Sequence, residues 1–420
     1  MVFNQSFKLA FSKGCELIKN WKENTIYISL MQLTLLGVNF FLITIISREY
    51  GAETYGEYAA SKSLSVLIGT ATVLSLALVV TKLRAQNVSF KNSLFANSYF
   101  LVLRNLALAL VTIFPLTILF GRDYPITAIF LIGFVFNEMI HIALAYFQAD
   151  GNFVITSKQI IVRTILYGFG AWIIVINSLE IIWVVLYQSA ILFLFFLVAH
   201  YYIPKTEKKR DSDQDKSTRK ELNNSGRRMV LTTFSSALIS ELDIVLLGLF
   251  YFGPALGVLA WSRRILEIIF QLLAASLDIL FPELSKAKDK DEIQNIRDRL
   301  KKVFFFSFII PVTFYLLRDT AGNILVSLLG EEFRDVSFQT SLILFSLPLM
   351  VWSRINIIFS RALGFEVNIT KIIISGSVIS YIVYFALHNL GIYNPAILSI
   401  ISSQMIISMF TSYSFRKSYA

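Results

Sequence analysis

The chain is 420 residues long, 55% hydrophobic and only 16% charged, with a formal net charge of +10 and a mean hydropathy of +0.65. A soluble domain carries about a quarter charged residues to cover its core, so this composition excludes a soluble globular fold. Continuous apolar runs of about 20 residues likewise exclude the short alternating strands of a membrane barrel, and one cysteine, Cys15, with three histidines excludes an internal disulfide and disfavours a Cys/His metal cluster.

Residues 1–24 are largely polar and carry Lys8, Lys13, Lys19 and Lys22. They lack the apolar core and small-residue site of a cleavable signal, so the first span is expected to serve as an uncleaved insertion signal. Apolar runs then follow at about 26–47, 61–81, 95–120, 126–147, 157–177 and 181–203. Residues 204–228 are the most charged stretch and read as a solvated cytoplasmic linker. Six more runs lie at about 229–251, 255–281, 303–317, 339–360, 368–387 and 392–413. The ninth is short, and the apolar piece Ile324 to Leu329 after it reads as a tilted extension or an interfacial segment. Between the eighth and ninth, Ile293, Ile296 and Leu300 recur at helical spacing in a charged stretch, which predicts an amphipathic helix at the membrane surface. The fold class is thus all-α integral membrane with about 12 spans. The expected domains are residues 1–203, the linker 204–228, and residues 229–420.

Positive charge orients the chain. With the N-terminus inside, inner segments collect 28 Lys and Arg, whereas outer loops hold four, Arg48, Arg122, Arg318 and Arg334. That asymmetry places both termini and the linker in the cytoplasm. It also explains the basic balance without nucleic acid as a partner.

The halves share a motif. Gly56-Glu57-Tyr58-Ala59-Ala60-Ser61-Lys62 follows the first span and Gly257-Val258-Leu259-Ala260-Trp261-Ser262-Arg263 follows the seventh. Another glycine precedes each, Gly51 or Gly253. Recurrence at the same place in each half reads as a duplication into two parallel six-helix repeats.

Lys62, Arg104, Arg163, Arg263, Arg264 and Arg354 fall inside spans or their first turns, as do Glu138, Glu241, Asp243, Glu267 and Asp278. A charge facing lipid at mid-helix costs about 2.5–3.5 kcal/mol, so these side chains are expected to face protein or water. Arg264, Glu267, Gln271 and Asp278 share one helical face, and Lys62, Ser65, Gly69 and Thr72 share another. Stripes in both halves predict a wet cavity, and forked arginine donors suit phosphate. The substrate-binding candidates are Lys62, Arg104, Arg263, Arg264 and Arg354. Glu138, Asp243, Glu267 and Asp278 are candidates for coupling or for structural ion pairs, and pairing with the acids is the alternative role of the arginines. No nucleotide-binding loop or hydrolase motif is present, so the chain is read as a non-enzyme with no catalytic residue, metal or cofactor.

Arg48 to Tyr58, Asp243 to Phe250, Gly257, Ala260, Phe281-Pro282-Glu283-Leu284-Ser285 and Leu329-Gly330-Glu331-Glu332-Phe333 together resemble the polysaccharide-transporter family of the MOP (multidrug, oligosaccharidyl-lipid, polysaccharide) superfamily, and its Wzx-type O-antigen flippases in particular. Leu259 and Trp261 depart from that family's usual Tyr and small residue. The resemblance implies a V-shaped pair of six-helix bundles around a cationic cavity. It implies movement of an undecaprenyl-pyrophosphate-linked oligosaccharide, of lipopolysaccharide or a related surface polysaccharide, across the bacterial inner membrane. A polysaccharide polymerase and a chain-length regulator are the implied partners, and H+ or Na+ is the unassigned coupling ion. The rival readings are a MATE-type exporter, for which an acidic cavity is expected, and an intramembrane O-antigen polymerase or glycosyltransferase, for which a long outer loop is expected.

Overall fold

The computed structural model describes residues 2–85, 92–119, 123–149, 153–202, 212–248, 253–278, 290–362, 366–390 and 395–419. Regular structure among them is helical: α1 (Val2–Val73), α2 (Leu76–Ala85), α3 (Asn92–Leu119), α4 (Tyr124–Ala149), α5 (Phe153–Ile176), α6 (Ile181–Tyr201), α7 (Ser212–Leu247), α8 (Pro254–Asp278), α9 (Lys290–Ser307), α10 (Ile309–Leu316), α11 (Arg318–Leu329), α12 (Val336–Ile343), α13 (Leu347–Ala362), α14 (Glu366–Asn389) and α15 (Pro395–Tyr419). The described parts of the apolar runs read from the sequence are helical apart from short breaks, as at Leu74–Ser75 and Leu317. Eight described helices are long and apolar enough to cross a membrane, and a bent pair makes nine. One of the eight, Ile26–Arg84, holds two of the expected spans, because α1 turns at Gly51 (φ 79°, ψ 175°) and resumes at once. The bent pair is the ninth run: Asp298–Leu316 and Arg318–Leu329 meet at 72°. Apolar side chains exposed at helical spacing, such as Ile165, Phe169, Ile173 and Ile176 on α5, fit a lipid-solvated face.

The chain divides into two compact units. The first comprises Met1–Ile45, Thr72–Ala109 and Ile129–Arg227. Its second span is broken: Leu74 and Ser75 both adopt left-handed φ (52° and 53°) between α1 and α2. The Asn105 side-chain amide donates to the Thr72 carbonyl at 3.0 Å, which satisfies an acceptor freed by the break. Arg84 donates from Nε to the Tyr146 carbonyl at 3.1 Å and lies 3.4 Å from the centre of that ring.

The charged stretch before α7 differs from expectation. Residues 204–211 lie outside the described set, but Ser212 onward belongs to α7, a 36-residue helix. Within the first unit Leu222 and Thr218 are buried, and Arg219 Nε donates to Asn97 Oδ1 at 2.5 Å with its guanidinium 4.4 Å from the Phe100 ring centre. Leu222 is the one large aliphatic residue in a stretch whose polarity otherwise signals a linker. It supplies the apolar contact that docks the helix.

The second unit comprises Ile46–Ala71, Leu110–Ala128 and Arg228–Ala420. Segments from the first half of the sequence join it through the repeated motif. Gly51 and Gly253, which precede the two copies, both have positive φ, 79° and 69°, where a Cβ would be strained. The following glycines touch: a Cβ on Gly56 would lie 2.7 Å from Gly257 N, and one on Gly257 only 1.9 Å from Ala52 O. Trp261 fills the departure noted in the sequence. It is fully buried, donates from Nε1 to Ser47 Oγ at 2.6 Å and packs 6.2 Å from the Tyr55 ring. The Ala52 amide, freed at the restart of α1, donates to Glu332 Oε2 at 2.8 Å, so the acid sits at the positive end of a helix.

The core of this unit runs through α8, α9, α12, α13, α14 and α15, with Leu266, Leu300, Leu344, Leu347, Val351 and Phe359 buried together. The expected surface helix is α9, and its apolar face is turned inward. Ile296 and Leu300 join that core instead of a lipid surface, while Ile293 lies outside the described side chains. The helix therefore leads into the ninth span as part of the packed bundle.

Candidate functional site: a cationic cavity in the second unit

A cavity of about 300 Å³ lies wholly within the second unit. Each wall follows helical spacing. α8 supplies Arg263, Arg264, Glu267, Phe270 and Gln271; α13 supplies Met350, Ser353, Arg354 and Ile357 at steps of three, one and three. Glu241 comes from α7, Ile373 from α14, and Gln404 and Ile407 from α15.

Glu267 organises the basic side. Its Oε2 accepts from Arg264 Nη1 at 3.0 Å, and its Oε1 stands 3.9 Å from Arg263 Nε. One carboxylate is thus shared by two consecutive arginines, the spacing of three and four that lets helix side chains meet. Arg263 is only 2% exposed, so its charge sits in protein and not in lipid or bulk water. Glu241 accepts a 2.7 Å hydrogen bond from Ser63 Oγ on α1. Lys62, next to Ser63, is within electrostatic range of Arg264, Glu241 and Glu267. Lys62 and Arg263 are the matching last residues of the two motif copies. Four cations (Lys62, Arg263, Arg264, Arg354) and two carboxylates (Glu241, Glu267) leave an excess of two positive charges among the described side chains of this cluster.

The sequence candidates divide accordingly. Arg263, Arg264 and Arg354 line the cavity and Lys62 stands in the same electrostatic cluster. Arg104 belongs to the first unit, where it is exposed and donates to Asn105 Oδ1 from Nη2 at 3.1 Å. Glu138 also belongs to the first unit, within electrostatic range of the buried Arg163. Asp243 and Asp278 lie outside the described side chains. Sequence reasoning left Ser353 and Gln404 unmentioned. Ser353 stands beside Arg354, but no charge or run singles out Gln404 among the serines of α15. Among the described residues no group of three or more His, Cys, Asp or Glu could hold a metal ion.

The sequence matches the model of a family described as polysaccharide biosynthesis protein over residues 121–338, just over half of the chain. The protein belongs to this family. Among curated proteins none matches. Solved structures share the fold of this family member along nearly its whole length. The lipid II flippase MurJ in its inward closed conformation is 17% identical, with a TM-score of 0.68, covering 94% of this chain and 87% of that one. An inward-facing multidrug resistance MATE family transporter of the MOP superfamily is 12% identical, with a TM-score of 0.66 and coverage of 94% and 97%. The eukaryotic MATE transporter AtDTX14 is 13% identical, with a TM-score of 0.61 and coverage of 95% and 98%. At these identities the likeness establishes a fold shared with these transporters. With its long apolar helices, this polysaccharide biosynthesis protein is a multi-pass membrane protein.

Proposed function

We propose that the protein is a flippase that moves an undecaprenyl-pyrophosphate-linked oligosaccharide, such as an O-antigen unit, across the bacterial inner membrane by alternating access. The observation that carries this reading is the cavity in which Arg263, Arg264 and Arg354 converge inside a membrane bundle. A pyrophosphate diester carries two negative charges, which matches the excess of two positive charges among the described side chains of the cluster. Charge-assisted hydrogen bonds from forked guanidinium groups are the strong contacts available to phosphate oxygens. Membership of a polysaccharide biosynthesis family supports a glycan cargo. The solved flippase MurJ, whose fold the chain shares, is named for a lipid cargo, lipid II. An exporter of cationic drugs is disfavoured, because the cluster would repel them. The cytoplasmic placement of both termini rests on the distribution of Lys and Arg.

The test is export of surface glycan by a strain whose only copy carries Arg264→Ala and Arg354→Ala. The expected result is loss of export with accumulation of the lipid-linked glycan inside. Wild-type export at normal protein abundance refutes a ligand role for both arginines.

A further inference from the structure

The second span breaks at a place with no local helix breaker. From Thr70 to Ala85 it holds neither Gly nor Pro, the residues at which helices ordinarily bend. Leu74 and Ser75 are nevertheless left-handed, two of the three non-glycine residues with positive φ among those described, and that backbone is unfavourable for a residue with a Cβ. The duplicated helix is unbroken at the matching place. Counted from Gly56 and Gly257, Leu74 and Ser75 correspond to Ala275 and Ser276, which lie inside the continuous α8. The cause of the break is therefore a neighbour, and the first unit supplies one. Thr218, Leu222 and Gly226 recur at four-residue spacing on the charged extension of α7, and all are buried. A Cβ on Gly226 would lie 2.9 Å from Leu74 O and 3.4 Å from Leu76 Cδ2, so the stripe ends against both sides of the break. A continuous helix would pair the Leu76 amide with the Thr72 carbonyl; in the broken span that carbonyl takes the Asn105 side-chain amide instead. Beyond the break, Arg84 fastens α2 to α4 through the Tyr146 carbonyl.

We infer that the charged extension of α7 is a clamp that holds the second span broken at Leu74-Ser75, and that its release lets α1 and α2 join into one continuous helix, as in α8, during transport. The clamp itself stands on contacts within the first unit, and its part in transport rests on the flippase reading. Two opposing demands make the element bistable. Backbone preference favours the straight helix, which relieves two left-handed residues and restores the hydrogen bonds of one turn. The docking of Leu222 and Gly226, with the hydrogen bonds of Asn105 and Arg84, favours the break. α1, which ends at the break, also carries Lys62 and Ser63, and Ser63 donates to Glu241. A change at the break therefore reaches the cationic cluster along a helix.

The experiment measures amide hydrogen exchange by mass spectrometry on the full chain in detergent, in wild type, Gly226→Leu and Leu222→Ala. Leucine keeps the helical preference of α7 but cannot fit against the Leu74 carbonyl. Alanine at 222 removes the buried apolar contact by another route, so one variant serves where the other fails to fold. Residues 212–227 are expected to exchange about tenfold faster, while Leu76 and Ala77, now paired within a continuous helix, exchange about tenfold slower. A merely damaged fold would speed both. If the extension is freed and Leu76 and Ala77 exchange as fast as in wild type or faster, the clamp is overturned. If neither change frees the extension, Leu222 and Gly226 do not dock it, and the clamp is overturned likewise. Ser75→Gly relieves strain in the broken form alone, so it should slow export of surface glycan about fivefold at normal abundance. Export at the wild-type rate by that variant refutes the part in transport. The Arg264→Ala, Arg354→Ala strain tests the flippase reading separately, because both arginines lie in the second unit.

Discussion

Arg264 and Glu267 offer a way to separate a ligand-binding arginine from one that merely supports the fold. The pair is 3.0 Å long, with side chains 22% and 16% exposed. Removing one partner of a buried pair costs about 3–5 kcal/mol, because the other charge is stranded. Partial exposure lowers this, and Arg263 remains 3.9 Å from the same carboxylate, so Arg264→Ala should cost about 2 kcal/mol. Glu267→Gln strands two adjacent arginines and should cost more, about 3 kcal/mol. The double variant Arg264→Ala, Glu267→Gln leaves only Arg263 to compensate and should cost less than the sum of the single changes, with a coupling of about 1–2 kcal/mol. Membrane abundance and thermal unfolding in detergent measure this cycle, and export of surface glycan is scored on the same strains. The double change is expected to keep abundance above what the sum of the single changes predicts, without restoring export. Export at the wild-type rate by the double variant would show that the arginine serves only its acidic neighbour.

Gly257→Ala would place a methyl group 1.9 Å from Ala52 O, an atom that cannot rotate away. The helices must part by more than 1 Å, and a loss of about 1–3 kcal/mol is expected in thermal unfolding; a variant as stable as wild type contradicts the observed contact. Leu222→Ala removes a fully buried side chain of the docked charged stretch, so it should cost about 2–5 kcal/mol. An effect under about 0.5 kcal/mol, as surface changes give, would mean that the stretch is a free linker after all. Reporter fusions after residues 210 and 417 should be active only with a cytoplasmic reporter, given 28 Lys and Arg on that side against four on the other; a periplasmic signal at either site would reverse the topology.

The membrane class, the helical spans and their order were legible in the sequence because each is written in contiguous residues. A span needs about 20 apolar residues whatever it packs against, and a polar stripe such as Arg264, Glu267 and Gln271 follows from helical spacing alone. The duplicated motif was legible too, with its glycines at matching places. Its consequence was not. That Gly56 lies against Gly257, and Trp261 against Ser47, depends on which helices approach one another. For the same reason the sequence could not separate Arg104 from Arg354, each a lone basic residue in an apolar run. Tertiary packing turns Arg354 into a cavity and leaves Arg104 exposed in the other unit. Composition misled where a few apolar residues outweigh many charges. Leu222 docks a stretch that reads as linker, and Ile296 and Leu300 bury a helix that reads as interfacial. Local pattern determines where helices form and which face of each is polar, since those depend on neighbours along the chain. Which polar faces meet, and whether three arginines share one space, is decided by contacts between residues far apart in sequence.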